Sequence, residues 1–152
     1  MKKFLLILTA LSLTGTAAMA QKLTIGERAA EIKSTRKMGT KQVAGEKIKV
    51  IEFFHCSNKQ CAARLEELDR LAKKYDGTLE VTVVTRDPAE KAMPILKPES
   101  RSYQVVIDED GKVFENYGVK YVPFAVLVDK KGKVIWFGNS SSLTEDMIKQ
   151  AI

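Results

Sequence analysis

Seven residues, Ile48-Lys49-Val50-Ile51-Glu52-Phe53-Phe54, are nearly all apolar and β-branched or aromatic, the composition of a central strand covered on both faces. An amphipathic helix follows almost at once. From about Lys59 to Tyr75 the apolar positions Cys61, Leu65, Leu68, Ala72 and Tyr75 recur at steps of four and three, and Asp76-Gly77 stops the pattern. Leu79 to Thr85 repeats the buried-strand signature and ends at Asp87-Pro88, and Ala89 to Leu96 reads as a second helix, closed before Pro98. Tyr103 to Ile107 is a third strand, followed by the turn Asp108-Glu109-Asp110-Gly111 and a short helical piece reaching Tyr117-Gly118. Phe124–Val128 and Lys133–Phe137 form an antiparallel hairpin across Asp129-Lys130-Lys131-Gly132. Ser142-Leu143-Thr144-Glu145 has the spacing of a capping box for a last helix. This order predicts one α/β domain, a central mixed β-sheet flanked by helices on both faces.

The N-terminus has a different pattern. Lys2 and Lys3 are a basic start, Phe4 to Leu13 is an apolar run, and Ala18-Met19-Ala20 is a small-x-small cleavage site. Residues 1–20 therefore read as a secretory signal peptide, with Gln21 the first mature residue, and the apolar run is short for a bilayer span. Residues 21–152 suffice for one domain with a core and are too few for two, and their first part, 21–47, is a weakly patterned entry segment of loops and short strands. The chain carries a formal charge of +6, of which the leader's two lysines account for two, leaving +4 interspersed with acids. Such dispersal describes a solvated surface and argues against nucleic acid as a partner. Export to the periplasm or cell envelope is also the setting in which two cysteines persist as a disulfide.

Both cysteines lie where the first strong strand gives way to its helix, as Cys56 and Cys61 in the run His55-Cys56-Ser57-Asn58-Lys59-Gln60-Cys61. The free N–H groups and dipole of a helix start stabilise a thiolate, so a cysteine there is a candidate for chemistry. The spacing is Cys-x-x-x-x-Cys, wider than the usual Cys-x-x-Cys of a redox pair. Asn58 is a good N-cap for the helix.

The mature chain resembles the thioredoxin-like fold, and within it the exported thiol–disulfide oxidoreductases of the TlpA/ResA type. Leu23-Thr24-Ile25-Gly26-Glu27-Arg28-Ala29-Ala30 is similar to their entry motif, with Ala30 where a proline is common. Tyr117-Gly118-Val119-Lys120-Tyr121-Val122-Pro123-Phe124, with Leu127 to Val134, is similar to their second signature. The resemblance implies a cis-Pro123 facing the cysteines across a peptide-binding groove, with Tyr121, Val122, Pro123, Phe124 and Asn58 as candidate lining residues. It breaks at the first signature. Aligned on Phe53-Phe54 and the helix, Cys61 takes the second, buried cysteine position, Asn58 the nucleophile's, and Cys56 falls two residues ahead of it. Gln60 replaces the proline usual between the cysteines, Arg64 stands where an acid or small residue is common, and Glu66 replaces a helix-kinking proline.

Three readings of the cysteines follow. In the first, Cys56 attacks and Cys61 resolves, exchanging disulfides with thiol or disulfide proteins of the envelope without a cofactor. His55 assists only if the loop turns before it, since adjacent strand residues point to opposite faces. In the second, Cys61 is packing on the apolar stripe of its helix, Cys56 a loop thiol, and the groove a binding module without turnover. In the third, His55, Cys56 and Cys61 bind copper as in the Sco-type relatives of the fold, although no second histidine exists to complete that ligand set. The expectation is exchange through Cys56 and Cys61, with no metal. Other templates fail: no Gly-rich phosphate loop or hydrolase triad is visible. A peroxidatic cysteine wants a hydroxyl residue three places before it, where Cys61 has Asn58 and Cys56 has Phe53.

Overall fold

A computed structural model of the chain describes residues 23–33, 36–39 and 45–152; the signal peptide expected over residues 1–20 lies outside them. Six strands, β1 (Lys37–Met38), β2 (Ile48–Phe54), β3 (Leu79–Thr85), β4 (Gln104–Ile107), β5 (Phe124–Val128) and β6 (Val134–Asn139), form one sheet in the order β1-β4-β3-β2-β5-β6. β2, β3 and β4 run parallel, whereas β1, β5 and β6 each pair antiparallel with their neighbours, so the sheet is mixed. Among the described residues four helices accompany it, α1 (Lys59–Lys74), α2 (Ala89–Leu96), α3 (Lys112–Asn116) and α4 (Glu145–Ala151). This is the α/β arrangement that the order of elements implied, and the thioredoxin-like fold that the resemblance implied.

Strand alternation distributes the apolar run of β2 between two cores. Val50 and Phe54 pack with Leu65 and Leu68 of α1, Leu96 of α2 and Ile148 of α4. Ile51 and Phe53 point the other way, onto Val113 and Phe114 of α3 and Tyr117. Three helices thus cover one face, and α3 with the entry segment around Ala29 to Ile32 covers the other. α3 is short and its N-cap Gly111 offers no side chain, so the buried Asp108 carboxylate takes over by accepting the Val113 N–H at 3.1 Å and the Phe114 N–H at 3.0 Å.

Three of the element boundaries that differ from the sequence expectation are each decided by a specific contact. β4 begins at Gln104, since Tyr103 turns inward and its hydroxyl donates to the Leu96 carbonyl at 2.7 Å. β6 begins at Val134, because the Asp129 carboxylate draws the Lys131 and Lys133 N–H groups into the turn at 2.9 Å each. The last helix is capped by Thr144 and not by Ser142. Thr144 Oγ1 accepts the Met147 N–H at 3.3 Å, while Ser142 ends a separate 3-10 turn at Ser140–Ser142.

What matters most for function is the register of β2 and β3. Ile48 lies beside Leu79 and Phe54 beside Thr85, so both strands end level. Residues 55–61 and 85–91 therefore leave the sheet side by side at its C-terminal edge, the usual place for a site in a parallel α/β sheet.

Candidate functional site

The chain turns sharply after Phe54. The Asn58 N–H donates to the His55 carbonyl at 3.1 Å, closing a turn that contains Cys56 and Ser57. The Asn58 side chain then makes three contacts. Its Oδ1 accepts the N–H groups of Gln60 at 2.9 Å and Cys61 at 3.1 Å, capping α1, and its Nδ2 donates to the Val122 carbonyl at 3.1 Å. The Val122–Pro123 peptide is cis. One amide thus ties the start of α1 to the loop before β5.

Asp87, brought level by the strand register, holds the other side of the turn. Its Oδ2 accepts the Cys56 N–H at 2.8 Å and the Thr85 hydroxyl at 2.9 Å, and its Oδ1 lies 3.6 Å from His55 Nε2. Because the Ser57 N–H donates to His55 Nδ1 at 3.2 Å, the neutral ring carries its proton on Nε2, toward Asp87. The strand ends before His55, so its side chain and the Cys56 backbone reach the same carboxylate. Burial works against ionisation of Asp87, yet the Cys56 N–H, the Thr85 hydroxyl and His55 hold its pKa below the usual aspartate value. The Cys56 thiol is half-buried and directed toward the Lys91 carbonyl at 3.9 Å, close to the Asp87 carboxylate that accepts its own backbone N–H. Burial first, and then Asp87, push its pKa up to about 11. The loop stabilises a thiol here and disfavours the thiolate.

Cys61 sits buried in the first turn of α1, where the nearby His55 backbone N–H works against the effect of burial on its thiol. Its pKa is also raised, by burial first and by the charges of Glu52 and Asp87. Glu52 is fully buried on β2 and faces α1. Ser140 donates to its Oε2 at 2.6 Å and in turn accepts from Arg64 Nε at 2.9 Å, while among the described residues Glu52 Oε1 and one Arg64 nitrogen have no hydrogen-bond partner. Burial raises the Glu52 pKa to about 8 despite Ser140 and Arg64. The Ser140 N–H also reaches the Pro123 carbonyl at 3.3 Å, so this network borders the cis-proline loop as well as Cys61.

The candidate residues thus converge at one end of the sheet, with both cysteines as free thiols. Val122 and Tyr121 line a cleft of about 450 Å³ beside the cysteine turn, and Tyr121 is 52% exposed. Phe124 lies beneath Tyr121, ring centroids 5.4 Å apart, and against Phe53, so it supports the cleft without lining it. Among the described residues no cluster of three or more His, Cys, Asp or Glu side chains is placed to hold a metal ion. Glu52 and Asp87 are site residues that the sequence reading passed over. The available signals were an acid inside an apolar strand and an Asp-Pro pair read only as a strand end.

The comparisons with known proteins agree with this fold. The AhpC/TSA family matches residues 18–137. The thiol–disulfide oxidoreductase ResA of Bacillus cereus is 28% identical over 127 residues, covering 80% of this chain and 73% of that protein. The solved structure of the exposed lipoprotein thioredoxin Etrx1 of Streptococcus pneumoniae is 25% identical with a TM-score of 0.58, covering 69% of this chain and 82% of that one. A thioredoxin-like protein solved in its oxidised form superposes with a TM-score of 0.66 at 20% identity, over 82% of this chain and 91% of that one.

Two expectations follow from the acids. Replacing Asp87 with Asn removes a charge that disfavours the Cys56 thiolate, so Cys56 should be alkylated by iodoacetamide several-fold faster at pH 8, on the order of the tenfold that one pKa unit represents. An unchanged or slower rate would show that Asp87 does not control this thiol. For Glu52, the folded pKa exceeds the unfolded one. Its contribution to stability is therefore intact below about pH 4.5 and declines as the pH rises to about 8. Wild-type protein should lose on the order of 4 kcal/mol across that window in urea denaturation, and Glu52→Gln should lose much less. Parallel pH profiles for the two proteins would contradict the assignment.

Proposed function

The chain belongs to the AhpC/TSA family, and from that membership and the cysteine turn we propose that it exchanges thiols and disulfides with proteins of the cell envelope, Cys56 attacking and Cys61 resolving. The carrying observation is that both sulfurs flank a helix start fixed against the Val122–Pro123 loop and bordered by two acids. In the forward direction Cys56 loses its proton to solvent and attacks a partner disulfide. A Cys56–partner S–S bond forms as the partner's own S–S bond breaks, and the electron pair leaves with the partner's other sulfur. Cys61 then attacks the Cys56 sulfur and releases the second partner thiol. The partner is reduced, and Cys56 and Cys61 end as a disulfide. The ionised fraction of Glu52, titrating near 8, takes the Cys61 proton in that second step.

The direction follows from the raised thiol pKa values. A strong oxidant owes its potential to stabilisation of its reduced form, chiefly as a thiolate. Neither thiol has that stabilisation here, so the reading favours a reductant. The leader signature at residues 1–20 supports export.

A second reading, a binding module that retains the cleft without turnover, is favoured by one contact. In the resemblance Asn58 stands at the nucleophile's position, and its amide is already bonded to the Val122 carbonyl.

Two variants separate the readings. Under exchange, Cys61→Ser should accumulate a mixed disulfide at Cys56 when mixed with an oxidised partner peptide, visible by mass and reversed by dithiothreitol. Recovery of unmodified protein would remove Cys56 as the attacking sulfur. Asn58→Cys should raise disulfide reductase activity at least tenfold if the scaffold remains competent, as expected when a thiol replaces an amide at a helix N-terminus. A variant no more active than its parent would place the reactive position elsewhere.

A further inference from the structure

The cleft beside the cysteine turn carries two cations that no described carboxylate balances. Arg86 leaves the end of β3 and Lys120 precedes Tyr121, and both line the cleft. Among the described residues neither is engaged in an ion pair. The acid of the same cleft, Asp87, has both oxygens committed, to the Cys56 N–H, the Thr85 hydroxyl and His55.

Packing, and not an acid, holds Arg86 in place. Its guanidinium carbon lies 5.7 Å from the centre of the Phe114 ring. It also passes Gly111, where an added Cβ would come within 3.3 Å of Arg86 Nε. Gly111 also has φ +71, a conformation that glycine tolerates best, so the close approach and the turn both favour glycine there. A guanidinium fixed in this way keeps its fork of donors available for a carboxylate. Phe114 and the exposed Tyr121 add aromatic walls, and Lys120 is exposed at the rim.

From this placement we infer that the cleft receives an acidic segment of a partner polypeptide, a carboxylate lying on Arg86 and Lys120 and an apolar neighbour against Tyr121. The inference rests on the exchange reading and names the partner's chemistry at that site. A polypeptide fits better than a small anion, because the cleft is open and aromatic-walled, and it adjoins Val122 and the turn where a partner sulfur must lie. Charge complementarity of this kind sets which partners dock and how fast.

The test uses the full reduced chain and two cysteine-free peptides, Ser-Gly-Glu-Phe-Glu-Gly-Ser and the same sequence with lysine for glutamate. Binding is followed by amide shifts in NMR titrations. The acidic peptide should shift the Arg86, Lys120 and Tyr121 signals and bind about fivefold more tightly than the basic one, with the difference shrinking at high salt. Lys120→Glu, at an exposed position, should abolish or reverse that preference, and Arg86→Gln should reduce it. Equal binding of the two peptides, shifts confined to another surface, or an unchanged preference in Lys120→Glu would overturn the inference. Because these peptides contain no sulfur, the result is independent of trapping by Cys61→Ser. Failure of trapping with retained acidic preference would discard exchange alone, and the converse would discard the acidic partner alone.

Discussion

Asn58 contributes one amide side chain to two elements that chain connectivity does not hold together. Its oxygen caps α1 and its nitrogen holds the Val122 carbonyl, so the helix start, the cysteine turn and the cis-proline loop share an anchor. Capping alone contributes about 1 kcal/mol. The bond to Val122 matters more for the proposed exchange, because it sets the spacing between the helix start and the cis-proline loop. The sulfurs then lie on either side of the anchor, Cys56 in the turn before it and Cys61 in the helix after it.

Two buried acids set the chemistry of those sulfurs. Asp87 organises the turn through the Cys56 N–H and disfavours the Cys56 thiolate, while Glu52 lies within electrostatic reach of Cys61. A helix N-terminus ordinarily lowers a thiol pKa, but burial and carboxylate charge outweigh it here. Under the exchange reading, slow attack and a stable disulfide arise from the same cause. A low thiolate fraction limits the rate, and the absence of thiolate stabilisation makes the reduced state a better electron donor. Glu52 destabilises the fold at neutral pH, the kind of local cost that persists at functional sites.

Much of the fold was legible because burial has a period. The alternation in β2 and β3 and the four-and-three stripe of α1 report which faces are covered, and both cores follow those patterns. Boundaries were less legible wherever one side chain decides them, as with Tyr103 reaching Leu96 and Asp129 gathering the Lys131 and Lys133 amides. Asn58 was readable as a cap from local chemistry alone. Its contact with Val122 spans 64 positions, and that of Asp87 with Cys56 spans 31, distances no local pattern records. Glu52 was hidden differently, since one acid hardly alters an apolar run and its hydrogen-bond partner Ser140 lies 88 positions away.

The central claim is that Cys56 and Cys61 form a working redox pair, and the state of the two sulfurs at equilibrium tests it most directly. The protein is held in glutathione buffers of graded poise, alkylated, and weighed. A single intramolecular disulfide that is half-formed near the thioredoxin end of the scale, around −270 mV and well below the −120 mV or so of a strong oxidant, is the expected result. Two alkylated thiols at every poise would contradict the claim and leave a thioredoxin-like scaffold that binds without exchanging.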